Sequence, residues 1–136
     1  MFVQPYLYFE GRCEEALEFY RGAVGAQVTA LMRWKDAPEP PQPGSENKVM
    51  HAEFRVGDSV ILASDGKSQG RPTFQGFALA LSTSSDAETD RIFGALADRG
   101  QVLQPLTSTF FTSRFGMLVD RFGVAWTLLT DVPAKE

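Results

Sequence analysis

Apolar positions recur along the chain with two periods, and the alternation between those periods divides it into two similar series of elements. Residues 48–56, KVMHAEFRV, alternate with period two: Met50, Ala52, Phe54 and Val56 fall on one side of a strand, His51, Glu53 and Arg55 on the other. Gly57 and Asp58 form a tight turn into SVILAS at 59–64, making a hairpin. Upstream, CEEALEFYRGAV sets Cys13, Ala16, Leu17, Tyr20 and Val24 on one helical stripe, with Glu14, Glu15, Glu18 and Arg21 opposite, and Gly25 is placed to end the helix left-handed. Residues 2–9, FVQPYLYF, are aromatic and branched enough for a strand that tolerates Pro5 near its start, and QVTALMRW at 27–34 reads as another. Pro38, Pro40, Pro41 and Pro43 exclude regular structure from 36–47, which is a surface loop.

The same order then restarts. FALALST at 77–83 is a strand, and 85–100 is a helix with Ser85 and Glu88 in capping-box spacing, apolar Ala87, Ile92, Phe93 and Leu96, and a terminating Gly100. QVLQPL and SRFGMLVD are further strands, after which Asp120-Arg121-Phe122-Gly123 turns the chain into VAWTLL. The helix-to-strand junctions GAQV and GQVL resemble each other, as do the turns RVGDSV and DRFGVAW. This is an internal repeat of roughly sixty residues. Residues 1–65 and 76–131 form the copies and the glycine-rich 66–75 joins them, which predicts an α+β fold of duplicated βαβββ units. Each sheet then has one face under its helix and one bare, and the bare faces are expected to curl around a shared half-barrel cavity for a small molecule.

Composition narrows the classes. A hydrophobic share of 43% suits a folded globular chain of one domain or two small fused halves. The net charge is -4 and the thirteen Lys and Arg are scattered, so nucleic acid is not expected as a partner. Cys13 is the only cysteine, which rules out an internal disulfide and a thiolate zinc cage and suits a reducing compartment. The start, MFVQPYLYFEG, has no basic, continuously apolar leader, and no apolar run approaches the ~20 residues that span a bilayer. A soluble, cytoplasmic protein with no membrane partner is the expectation.

Several ordered motifs carry a resemblance. PYLYFEGRCEEALEFY, KVMHAEF, ILASD, PLTSTFF and RFGMLVDRFGVAW, spread over almost the whole chain, resemble the PhnB-like branch of the vicinal oxygen chelate superfamily, which includes glyoxalase I, bleomycin and fosfomycin resistance proteins and extradiol dioxygenases. The resemblance implies the glyoxalase/bleomycin-resistance-like half-barrel but no single reaction, because that fold hosts lyases, isomerases, thiol transferases, dioxygenases and pure binders. Metal-dependent members hold a divalent cation with four side chains, His or Gln on the first strand of each half and Glu on the last. Carried over by motif, those positions fall on Pro5, Ala63, Phe77 and Thr127, none of which is a good ligand. A slip of one residue, to Gln4 or Tyr6, Gly76 or Ala78, and Trp126 or Leu128, restores no full set. No metal and no other cofactor is expected at the usual site.

Among the remaining candidates, His51 and Glu53 share a strand face and suit a polar contact, an acid/base pair, or two ligands of a displaced metal that Asp65 would complete. The bland readings are a solvated strand face for the pair and a turn opener for Ser64-Asp65. Thr109, Phe111, Arg114 and Phe115 lie where relatives have Thr-Phe-Trp before Phe-Gly; Phe111 keeps the aromatic wall without an indole donor, and Arg114 suits an anionic group or an exposed strand edge. Cys13 reads as a buried small hydrophobe. Some PhnB-like relatives carry a ubiquinone methyltransferase label, but no glycine-rich loop follows a strand here, so methyl transfer is not expected. The favoured reading is a metal-free binder of a small, partly aromatic molecule through His51, Glu53, Phe77, Thr109, Phe111, Arg114, Phe115 and Thr127. The alternative is a lyase, isomerase or dioxygenase with a metal on His51, Glu53 and Asp65. A homodimer is expected because sheet edges need covering.

Overall fold

The structure, a computed structural model, describes residues 1–68 and 70–131. Gln69, within the expected connection, lies outside the described residues. The chain forms two compact units, Met1–Thr73 and Phe74–Glu136. The first contains β1 (Tyr6–Tyr8), α1 (Cys13–Val24), β2 (Gln27–Arg33), β3 (Val49–Val56) and β4 (Ser59–Ser64), and the second β5 (Leu79–Thr83), α2 (Asp86–Ala97), β6 (Gln101–Thr107), β7 (Phe115–Val119) and β8 (Ala125–Thr130). Their sheets have the same order, β1-β4-β3-β2 and β5-β8-β7-β6, with the first strand of each parallel to the last. The duplicated βαβββ pattern is therefore a property of the backbone as well as of the apolar spacing.

In the first unit the stripe of α1 meets the sheet as its period dictates. Cys13, Ala16, Leu17, Tyr20 and Ala23 are buried, and Tyr20 stacks on Phe54 of β3 with ring centroids 5.8 Å apart. Val24, expected on this stripe, is half-buried, and Ala23 closes the face instead. Gly25 takes φ 70° and its N–H returns to the Tyr20 carbonyl, the left-handed stop read from the sequence. β1 is shorter than the aromatic run around it. Pro5 has no N–H for the ladder and lies just outside the strand, where its carbonyl accepts the Leu62 N–H.

The second unit departs from expectation in two places. Ala87 is exposed, and the buried position in the first turns of α2 belongs to Thr89. At the other end the left-handed residue is Arg99, at φ 61°, while Gly100 answers a different need: a Cβ there would fall against the Val119 carbonyl oxygen.

The two units solve one polar problem differently. The last helix-side position after β4 is Asp65, whose carboxylate accepts the Cys13 N–H at the start of α1 (2.9 Å) and the Val49 N–H (2.7 Å). The last helix-side position of β8 is Thr130, which joins a chain of buried hydroxyls, Thr83 to Thr89 at 2.6 Å and Thr89 to Thr130 at 2.7 Å. Thr112 Oγ1 donates to the Thr130 carbonyl. Thr89→Val keeps the shape and leaves both partner hydroxyls short of a bond. A loss of about 1–2 kcal/mol is expected, read as a lower urea midpoint at unchanged m-value.

Candidate functional site

Period two places the polar residues of the first unit on the sheet face away from α1. Across that face Tyr6 pairs with Leu62, Leu62 with Glu53 and Glu53 with Ala30, while Met32 pairs with His51. Tyr6 and Tyr8 stack at 4.8 Å and 17°. The Tyr6 hydroxyl lies 2.8 Å from His51 Nδ1. Burial, chiefly, pushes the Tyr6 hydroxyl above its ordinary pKa, with a hydrogen bond to Ser64 acting the other way, so it stays a phenol at neutral pH. Where the phenol donates to Nδ1, the imidazole carries its hydrogen on Nε2, which is then a donor for a ligand. Glu53 is held separately: its Oε2 accepts from Thr29 Oγ1 at 3.0 Å. His51 and Glu53 thus share a face but engage different partners, and the acid/base pair is not assembled.

The displaced metal set is not assembled either. Asp65 is buried, and its two oxygens are taken by the backbone N–H groups of Cys13 and Val49 on the helix side of the sheet. Among the described residues no three of His, Cys, Asp and Glu are grouped to hold a metal ion. Cys13 is a poor nucleophile as well, since burial, with Asp65 and Glu14 nearby, pushes its thiol up to about 12.

The strand register also corrects the positions carried over for the usual ligands. Ala63 pairs with Leu7 and Ala52 in the buried helix-side layer, so the first-half counterpart of Thr127 is Leu62, one residue earlier. Pro5 and Phe77 precede their strands; on the faces in question stand Tyr6 and Ala80. In the second unit Thr127 pairs with Ala80 and Met117, and Met117 with Gln104, on the face away from α2. That row contains no carboxylate or imidazole.

Phe115 shares this face, pairs with Leu129, and meets Phe111 edge-on at 5.7 Å; Phe110 stands edge-on to Phe111 at 5.1 Å. Phe77 is exposed and meets Phe74 edge-on at 6.3 Å. Two candidates have structural duties instead. Thr109 Oγ1 accepts the N–H groups of Phe111 and Thr112, shaping the loop before β7. Arg114 reaches Asp90 at 3.0 Å and Asp86 at 3.5 Å on α2, where hydrogen bonds from Ser113 and Thr130 hold the Asp86 carboxyl below its usual range. Its charge is spent within the unit and does not address the sheet face. Tyr6 and Tyr8 also stand on the outward face of the first sheet, as their alternation with buried Leu7 and Phe9 requires.

Comparison with known proteins follows the same lines. The family described as 3-demethylubiquinone-9 3-methyltransferase matches residues 2–129. Protein YjdN of Escherichia coli K12 is 30% identical over 136 residues, covering 93% of this chain and 92% of that protein. The structure of PA1353 from Pseudomonas aeruginosa superposes with a TM-score of 0.85 at 37% identity over 98% of this chain and 99% of that one. The PhnB protein from Bacillus cereus gives 0.81 at 30% identity, covering 96% and 100%. A glyoxalase-related enzyme from Fulvimarina pelagi (TM-score 0.62, 15% identity, covering 96% and 88%) and fosfomycin resistance protein FosX from Mesorhizobium loti (0.63, 15%, covering 97% and 92%) share the fold alone.

Proposed function

The chain belongs to the 3-demethylubiquinone-9 3-methyltransferase family, the PhnB-like branch of the vicinal oxygen chelate superfamily, and from that premise we propose that it is a metal-free binder of a small, partly aromatic molecule. The observation that carries this is the 2.8 Å contact of Tyr6 with His51 on a helix-free sheet face, beside the Tyr6–Tyr8 stack. The stacked rings offer an aromatic platform, His51 Nε2 a donor and Glu53 an acceptor. With Nδ1 committed to Tyr6, His51 suits recognition better than proton abstraction. Phe111, Phe115 and Thr127 give the second unit a comparable surface of rings and one hydroxyl. Methyl transfer, named by the family description, is no part of the proposal, because neither strand-to-helix junction, FEGR or SS, has a glycine-rich loop.

A homodimer in the cytoplasm completes the reading. β2 and β6 are edge strands that expose Met32, Val102 and Leu103, and a second copy would cover such edges. No helix among the described residues is long and apolar enough to cross a membrane.

Thermal shift against a panel of neutral hydroxylated and carbonyl-bearing aromatics, with metal analysis of the same preparation, tests the proposal. A binder present at 100 times its Kd stabilises by about 2.7 kcal/mol. His51→Ala and Tyr6→Phe should each weaken that ligand by roughly tenfold, the scale of one good hydrogen bond. Stoichiometric Mn, Fe, Co, Ni or Zn that is lost in His51→Ala would overturn the metal-free reading.

A further inference from the structure

The proline-rich loop after β2 forms a second recess, on different residues from the sheet face. Trp34, which opens a short 3₁₀ turn at Trp34–Asp36, and Pro38, Pro40 and Pro41 form one side. Lys48, next to Trp34, and the Gly66–Ser68 turn complete the lining of a cleft of about 700 Å³ within the first unit. That volume lies within the range of pockets that take small organic ligands.

Both walls are tied down by the backbone. The Trp34 N–H donates to the Lys48 carbonyl and the Lys35 N–H to the Glu46 carbonyl, each at 3.1 Å, so the two ends of the loop are clamped. Arg33 adds a bond to the Asn47 carbonyl at 2.8 Å and an ion pair with Glu14 of α1 at 2.6 Å. On the facing turn the Ser68 N–H donates to the Asp65 carbonyl and the Lys67 N–H to Glu10 Oε2. Prolines lose little freedom when a ligand docks, so the cleft is set before binding.

The charged residues lining the cleft are Lys48, Lys67 and Glu39, and the Glu10 carboxylate sits against the Gly66–Lys67 turn, so Lys48 is the cation beside the indole. Trp34 remains 39% exposed. An indole beside proline rings and lysines matches a flat ring that carries a negative group.

We infer that the Trp34–Lys48 cleft is a binding site for a planar aromatic monoanion, such as an aryl carboxylate or sulfonate, separate from the His51 face. The rings contact Trp34 and the prolines, and the acid group meets Lys48 with Lys67 nearby.

Naphthalene-2-sulfonate, with neutral 2-naphthol as its control, is the probe pair. The protein has two tryptophans, and the Trp126 indole N–H donates to buried Asp120, so in ¹⁵N spectra its signal is an internal reference for Trp34. The sulfonate should move the Trp34 signal saturably, leave Trp126 in place, and bind about fivefold tighter than the naphthol, the scale of one surface charge pair. Lys48→Gln, a change outside the core, should bring the two probes to near parity at Trp34, and His51→Ala should leave the sulfonate-induced shift of the Trp34 signal unchanged. An unmoved Trp34 signal, equal affinities in the wild type, or full selectivity retained in Lys48→Gln would overturn the inference. Loss of the Trp34 shift in His51→Ala would overturn it too, by moving the probe to the sheet face.

Discussion

Asp120→Ala is expected to cost about 4 kcal/mol of stability, and to lower Tm by roughly 15 °C for a chain of this size. The carboxylate is buried in the β7–β8 turn and takes three donors: the Phe122 N–H at 2.9 Å, the Val124 N–H at 3.1 Å and the Trp126 indole N–H at 2.9 Å. Phe122, Val124 and Trp126 are themselves buried, so an alanine leaves three donors in a region with little access to water. Each orphaned donor costs about 1–3 kcal/mol, and partial entry of water keeps the sum below the maximum. Urea unfolding followed by far-UV circular dichroism reads the loss. A double-mutant cycle with Trp126→Phe isolates the indole bond, for which a coupling of about 1–2 kcal/mol is expected. A loss under about 1 kcal/mol for Asp120→Ala would show that the turn holds without its carboxylate.

Asp65→Ala should cost about 3 kcal/mol by the same physics, with two donors orphaned in place of three. Here the carboxylate joins the first N–H of α1 to the first N–H of β3, and the N-cap residue Arg12 offers no side-chain bond of its own to the helix end. Asp65→Asn keeps one acceptor and turns an NH₂ toward the other donor, so it should lose about half as much. Hydrogen exchange distinguishes this from general loosening: the Cys13 and Val49 amides should lose protection ahead of Phe54 in mid-sheet. Uniform loss across the first unit would instead assign Asp65 a diffuse electrostatic role. Either variant also tests the metal alternative, in which bound metal would fall with the substitution.

The reach of sequence reasoning is clear from single elements. KVMHAEFRV specified both its strand and the direction of His51 and Glu53, because a period of two needs no partner to be read. The α1 stripe specified its buried side chains to within one residue, Val24 for Ala23, because several helical angles put a residue near the rim of the face. Thr89 was hidden: a lone threonine among polar neighbours has no periodic signature, and only the arrival of Thr83 and Thr130 makes its burial tolerable. Gly100 reads in the sequence as a helix stop, whereas the Val119 carbonyl that excludes a side chain there lies nineteen positions away, in β7.

The amino-acid sequence by itself determined the duplicated βαβββ plan, its family and the helix-free faces. Those follow from local periods, turn residues and residue types, all of which act over a few positions. Only the tertiary structure decided which polar groups meet: Tyr6 with His51, Asp65 with two distant backbone amides, Arg114 with α2, Trp34 with Lys48 across a clamped loop. Such pairings depend on strand register and loop closure, and in β4 a shift of one residue moved Ala63 from the expected site to the core.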